Sequence, residues 1–153
     1  GKGTKMIYHV FDLDGTVIDS SHRQAALPNG DFDLDHWREN CTPEKIAADK
    51  LLPRAHSMRR QYYSGNYVII CTARCMTQAD FEYLHNNKLF SDAVLFRPDN
   101  CTDADADLKE YMLDEFFEGL GTTLDNERVV MYEDNLSVIE RMRKRGVLCS
   151  VEA

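Results

Sequence analysis

Met6-Ile-Tyr-His-Val-Phe-Asp-Leu-Asp-Gly-Thr-Val-Ile-Asp-Ser20 is the most informative stretch of this 153-residue chain. An apolar run from Met6 to Phe11, broken only by His9, predicts a short buried strand. It stops at two carboxylates, Asp12 and Asp14, followed by Gly15 and Thr16. Ligands of open α/β sheets bind just beyond the carboxyl ends of the strands. Two acids in that place, with a glycine to turn the chain, predict a site and not a solvated face. Carboxylates this close repel, so they require a cation or a shared proton. A hard divalent ion with oxygen ligands, Mg2+ above all, suits them. The plainer reading, a turn with solvated acids, is compatible with Asp-Leu-Asp-Gly-Thr taken alone, so the rest of the chain has to decide.

The length suits one domain with its own core and is short for two. Hydrophobic residues make up 43% and charged residues 29%, the balance of a soluble globular chain. No apolar run approaches the ~20 residues that span a bilayer, and no signal-peptide pattern opens the chain, so no membrane partner is expected. Gly1 to Lys5 are set aside as a tail or cloning remnant ahead of a native start at Met6, leaving a single domain over 6–153. The five cysteines (Cys41, Cys71, Cys75, Cys101 and Cys149) are odd in number and lack the paired spacing of a metal site. They predict free thiols in a reducing, cytoplasmic setting. A net charge of −8 disfavours binding along a duplex, because an acidic surface gains little from counterion release. It leaves room for gripping a single phosphorylated end. No stable protein partner is indicated.

Residues 17–42 carry Pro28, Gly30, several Asp and His, and the single tryptophan, Trp37. A structureless loop of this length is unusual unless it has a function. The segment predicts a flap beside the site, pinned by Trp37, with Arg23 in reach of a phosphate. Thr42-Pro43-Glu44 opens a helix, with Thr as N-cap and Pro at the first position. Its stripe of Ile46, Leu51, Met58 and Tyr62 is interrupted by Pro53, which kinks or splits it, and Ser64-Gly65-Asn66 ends it. Arg54, His56, Arg59 and Arg60 read as a solvated face.

Tyr67 to Cys71 is a second buried strand. It ends in Thr72-Ala73-Arg74, a hydroxyl that donates to phosphate oxygens and an arginine with a bidentate fork. Thr77 to Lys88 is a helix with Thr77 and Asp80 as its capping pair and with Phe81 and Leu84 facing the core. Ala93 to Phe96 is a third strand. A helix from Ala104 to Gly119 buries Leu108, Met112 and Phe116. On it Asp105 and Lys109 stand i, i+4, either an ordinary surface pair or a lysine held ready for a phosphate. Val129 to Tyr132 is the fourth strand, and Glu133-Asp134 at its tip are costly to bury without a cation. Leu136 to Arg145 is a last helix, its basic end matched to the macrodipole, and Val147 to Val151 a fifth strand.

Phe11-Asp-Leu-Asp-Gly-Thr16, Thr72-Ala-Arg74, Lys109 and Glu133-Asp134, in that order, resemble the four motifs of the haloacid dehalogenase superfamily of phosphatases. The resemblance spans residues 7–146. It implies an α/β fold, a doubly wound parallel five-stranded sheet with the Asp12 strand central between the Thr72 and Glu133 strands. It implies Asp12 as nucleophile, Asp14 as general acid and base, and Lys109, positioned by Asp105, as counter-charge to the phosphoryl group. Mg2+ would be held by Asp12, the Asp14 backbone carbonyl and Asp134, with Glu133 direct or through water. Gly15 and Thr72 would meet the phosphate, and Arg23 and Arg74 would clamp it. Neither place where the superfamily inserts a cap, 17–42 or 75–104, holds a full cap domain, and an open site suits a large substrate.

A narrower resemblance is to the 3′-phosphatase domain of phage polynucleotide kinase/phosphatases. It rests on the spacing of Asp12, Asp14, Arg23, Arg74, the Asp105/Lys109 pair and Glu133-Asp134. Thr-Ala-Arg stands where Ser-Gly-Arg is expected, Glu-Asp where two aspartates are, and no P-loop kinase sequence is present. The implied activity is Mg2+-dependent removal of a 3′-phosphate from a polynucleotide end, in DNA or RNA repair. A nucleotidase acting on mononucleotides has the same core chemistry, with the flap as a lid. A phosphoprotein phosphatase fits less well, since glutamate is usual where Gly15 sits. A non-catalytic phosphate-binding module fits least, because Asp12, Asp14, Lys109 and Asp134 are all retained.

Overall fold

The computed structural model describes residues 6–150. In chain order its strands are β1 (Ile7–Phe11), β2 (Ile18–Asp19), β3 (Lys50–Leu51), β4 (Tyr67–Cys71), β5 (Ala93–Leu95), β6 (Arg128–Tyr132) and β7 (Leu148–Ser150). The helices are α1 (Leu34–Glu39), α2 (Pro43–Ala47), α3 (Arg54–Tyr63), α4 (Gln78–Asn86), α5 (Asp105–Gly119) and α6 (Leu136–Lys144). Five strands form one parallel sheet in the order β5-β4-β1-β6-β7. The strand that leads to Asp12 is therefore central, with those leading to Thr72 and Glu133 on either side, as expected.

Alternation along the strands builds two cores, because successive side chains point to opposite faces. Phe11, Val68, Ile70 and Tyr132 pack with Ile46, Ala55, Met58 and Leu84, under α2, α3 and α4. Val10, Ile69, Cys71 and Met131 pack with Ala106, Leu113, Phe117, Val138 and Met142, under α5 and α6. A sheet covered on both faces explains why β1 and β4 read as continuous apolar runs. All five cysteines are free thiols. Among the described residues, no helix is long and apolar enough to cross a membrane.

Several local expectations are corrected. The expected flap at 17–42 is not irregular at its start: Val17 and Ile18 are fully buried, and β2 pairs antiparallel with β3. The insert hangs between these two short strands, so it runs from Ser20 to Asp49 and contains α1 and α2. Asp33 and Thr42 cap those two helices through their side chains. The helix expected from Thr42 onward stops at Ala47, well before Pro53, and resumes only at Arg54. Phe81 lies on the surface at 41% exposure, edge-on to Phe96, instead of in the core. On α5 Leu108 is buried as expected, but the rest of the buried stripe is Ala106, Lys109, Leu113 and Phe117, while Met112 and Phe116 sit half-buried at its edge. That register difference is what turns Lys109 inward. The end of the expected last strand, Val151, lies outside the described residues.

Candidate active site

Asp12 follows β1 directly, and its backbone N–H donates to the Tyr132 carbonyl at 3.0 Å, extending the β1–β6 ladder to the site. The residue is 5% exposed, and its carboxylate is held at both oxygens. Lys109 Nζ donates to Oδ1 at 2.8 Å, and Thr16 Oγ1 donates to Oδ2 at 3.0 Å. Both partners follow from local structure. Thr16 lies in the turn that folds back from Leu13, whose carbonyl accepts from the N–H groups of Thr16, Val17 and Ile18. Lys109 stands on the core-facing stripe of α5, so its stem is buried and its ammonium emerges among the acids.

Lys109 Nζ also meets both oxygens of Glu133, at 3.1 and 2.9 Å. Glu133 is 2% exposed. Asp105, expected to position Lys109, does not touch it. Its carboxylate accepts from Arg97 at 3.0 Å and from Asn135 at 3.3 Å, near the surface. Residues i and i+4 share a helix face only broadly; here one points into the sheet and the other toward the rim. Glu133 takes the positioning contact instead.

Asp12, Glu133 and Asp134 form the one acidic cluster, among the described residues, whose oxygens are close enough to share a metal ion. Asp134 leans over Gly15. A Cβ on Gly15 would lie 2.9 Å from the Asp134 Cγ, inside contact distance, and the φ of +83° also favours glycine. Burial, and then the Asp12 carboxylate beside it, push the Asp134 carboxyl up to about 7. Burial and the charge of Asp12 likewise push Glu133 up to about 8, against the pull of Lys109. The acidic neighbours hold Lys109 firmly protonated although burial opposes its charge. Three carboxylates around one ammonium leave two surplus negative charges when ionised. All the donors are hard oxygens, and the set fits a divalent cation such as Mg2+.

Asp14 points away from this cluster. Ser20 Oγ donates to its Oδ1 at 2.6 Å, and Arg74 grips both oxygens, Nε reaching Oδ2 at 3.0 Å and Nη2 reaching Oδ1. Burial disfavours its charge, yet the Arg74 guanidinium and these hydrogen bonds hold the carboxyl below its ordinary range. Arg74, 6% exposed, is itself engaged by Asp80 at 2.6 Å. Thr72, 1% exposed, accepts from the Arg74 backbone N–H through Oγ1 at 3.0 Å, which leaves its hydroxyl proton free to donate. Arg23 is turned inward onto protein partners. It is 1% exposed, its fork lies on Asp49 at 2.9 Å twice, and its guanidinium stacks 4.2 Å from the Trp37 ring centroid. It is not placed to reach a phosphate.

Sequence reasoning missed Asp49 and Arg97 and saw Asp80 only as a cap. Asp49 carried no signal, since its partner is 26 residues away. Arg97 ties the site's rim together, donating to the carbonyls of Ala73 at 2.7 Å and Asp103 at 2.9 Å as well as to Asp105.

Known proteins share this fold. In structure, the fold resembles a haloacid dehalogenase-like hydrolase from Streptococcus pneumoniae (TM-score 0.64, 14% identity, 95% of this chain and 83% of that one). It also resembles a chain of the Pnkp1/Rnl/Hen1 complex (TM-score 0.69, 20% identity, 97% and 46%). A third likeness is the heptose bisphosphate phosphatase of B. bronchiseptica, solved with magnesium and phosphate (TM-score 0.58, 15% identity, 94% and 79%). At these identities the likeness shows the fold, that of the haloacid dehalogenase-like phosphatases. In sequence, the 5′-deoxynucleotidase of Escherichia phage T5 is 40% identical over 84 residues, 52% of this chain and 34% of that protein. The chain thus matches about a third of that relative's length. The family model described as Bacteriophage T5 5′-deoxynucleotidase matches residues 2–153, and the chain belongs to that family.

Proposed function

We propose that this protein is a Mg2+-dependent phosphomonoesterase that removes the 5′-phosphate of deoxynucleoside monophosphates through an aspartyl-phosphate intermediate. The match of residues 2–153 to the phage 5′-deoxynucleotidase family carries the substrate class. The sequence alone favoured a polynucleotide 3′ end, with Arg23 and Arg74 gripping the strand. Both guanidinium groups are engaged by protein carboxylates, which weakens that reading and favours the small substrate.

In the proposed reaction an Asp12 carboxylate oxygen attacks phosphorus in line. The bond to the 5′-oxygen breaks, and Asp14 gives its proton to that oxygen. Water then attacks the phosphorus of the intermediate, Asp14 takes the proton from the water, and the acyl-phosphate bond breaks to release inorganic phosphate. The ionised Asp14 held by Arg74 and Ser20 is the form left after the first step, and the proton it takes from the water is the one it gives to the leaving oxygen of the next cycle. Lys109 offsets charge on the transferring group, and the Thr72 hydroxyl donates to one of its oxygens. Asp12 and Asp134, with the Asp14 backbone carbonyl, would hold the Mg2+, which supplies further charge neutralisation when bound. Glu133 stands behind Lys109 and keeps it aimed at Asp12.

The test is Mg2+-dependent phosphate release from deoxynucleoside 5′-monophosphates, a 3′-phosphorylated oligonucleotide and the same oligonucleotide 5′-phosphorylated, with Asp12→Asn as blank. Preference for the mononucleotides is expected. Preference for the 3′-phosphorylated end would overturn the substrate assignment and leave the chemistry standing.

A further inference from the structure

Behind Asp14 lies a cluster of buried charge that the reaction above does not use. Arg74 turns the Nε/Nη2 edge of its guanidinium to Asp14, and its remaining nitrogen, Nη1, to Asp80 Oδ1 at 2.6 Å. Asp80 is 3% exposed, and its second oxygen is anchored at the start of α4. The Thr77 backbone N–H donates to it at 2.8 Å and the Thr77 hydroxyl at 2.9 Å. On the far side Asp49, fixed by the Arg23 fork, stands 3.7 Å from Arg74 Nη2. Trp37 closes that side, its ring centroid 5.6 Å from the Arg74 guanidinium.

A capping box needs no arginine, since Thr77 and Asp80 satisfy each other. A surface cap would also leave its other oxygen in water, whereas here that oxygen, Oδ1, accepts from Arg74. A planar fork presents two donors to Asp14 in one orientation only, so whatever fixes the plane of Arg74 fixes the carboxylate it grips. Asp80 fixes it.

We propose that Asp80 is a positioning residue for the acid–base step, acting through Arg74 to aim the Asp14 carboxyl at the leaving oxygen. The inference rests on Asp14 being the acid and base of the reaction. Its consequence concerns the leaving group. A nucleoside 5′-alkoxide departs poorly without a proton, while p-nitrophenolate departs readily without one, so formation of the aspartyl-phosphate depends on where Asp14 points only for the first substrate, and its hydrolysis is common to both.

The experiment compares kcat/KM, which reports the steps up to formation of the aspartyl-phosphate, for a deoxynucleoside 5′-monophosphate and for p-nitrophenyl phosphate, at saturating Mg2+, in the wild type, Asp80→Asn, Thr77→Ala and Asp14→Asn. The ratio of the two rates is read, so any inactive fraction of a poorly folded variant cancels. A positioned acid contributes about 10²–10⁴-fold, and Asp14→Asn should lower the ratio by most of that. Asp80→Asn should lower it about tenfold or more. Thr77→Ala, which only loosens Asp80 and is expected to fold, should lower it less but in the same direction. If Asp14→Asn lowers the ratio while Asp80→Asn and Thr77→Ala leave it at the wild-type value, Asp80 serves folding alone and the inference is overturned. If Asp14→Asn also leaves the ratio unchanged, the acid–base assignment falls, and the inference with it.

Discussion

Replacing Gly15 with alanine separates two costs that usually arrive together. At φ +83° an alanine pays the left-handed penalty of about 1–2 kcal/mol. For a domain of this size that lowers the melting temperature by about 2–8 °C. Gly65 has the same φ of +83°, with no atom within 4 Å of the position its Cβ would take. Gly65→Ala therefore measures the backbone cost alone. At Gly15 the new methyl must also displace the Asp134 carboxylate, because its Cγ lies 2.9 Å away where ordinary contact begins near 3.4 Å. The two variants should melt similarly without metal, or Gly15→Ala slightly lower. Their response to Mg2+ should differ. Displacing an element of a metal site typically weakens affinity about 10–100-fold, so the Mg2+ concentration that half-raises the melting temperature should rise about tenfold in Gly15→Ala and stay unchanged in Gly65→Ala. Thermal melts across a Mg2+ series, with activity alongside, read both. Equal Mg2+ responses in the two variants would refute the claim that the close approach over Gly15 builds the metal site.

Three further outcomes follow from the same geometry. Asp12→Asn should abolish turnover while keeping a cooperative melt, since Lys109 retains Glu133; residual activity near the wild-type rate would exclude the covalent route. Glu133→Gln should cost about 1.5–3 kcal/mol in urea unfolding above pH 8, where the carboxylate is ionised, because Lys109 loses one of its two buried anionic partners. Asp105→Asn should stay within about 0.5 kcal/mol, since its pair with Arg97 is largely at the surface; comparable losses would restore Asp105 as the residue that positions Lys109. The third outcome concerns pH. Folding raises the Asp134 carboxyl to about 7, above its ordinary value, so its contribution favours the fold at low pH and is lost as pH rises toward 7. In EDTA the melting temperature should fall across that window, and Mg2+ or Asp134→Asn should flatten the slope; a slope indifferent to both would contradict the raised Asp134 carboxyl.

The parts of this fold that were legible in sequence are those whose signals are local. β1, β4 and β6 are apolar runs ending in polar residues, and the Thr77/Asp80 box marks the start of α4 within four residues. The tips of those strands, Asp12, Thr72 and Glu133-Asp134, could be placed because the sheet order brings strand ends together. Long-range pairings were not legible. Arg23 meets Asp49 across the insert, and no periodicity announces it. β2 and β3 are too short to alternate, so the segment between them looked like a loop. Asp105 and Lys109 show the limit of spacing arguments. The i, i+4 rule puts two residues near each other, but the sheet decides which one faces inward, and the better-packed stripe through Ala106, Leu113 and Phe117 carried Lys109 with it.

The pairing of Ile18 with Leu51 and of Asp19 with Lys50 has a consequence for how such a protein changes over time. The chain leaves the sheet and returns to it at adjoining points, so the segment between behaves as a headpiece on a fixed mount. Lengthening a loop already closed at its base is cheap, about 0.6 kcal/mol for each doubling. Headpieces of different size can be exchanged there without disturbing the strand order beneath. Because the mount begins four residues after Asp14, anything carried on it overhangs the reactive carboxylates from the outset. New substrate preferences can arise by editing the middle of that segment, while Ser20 and Asp49 at its ends keep their hold on Asp14 and Arg23.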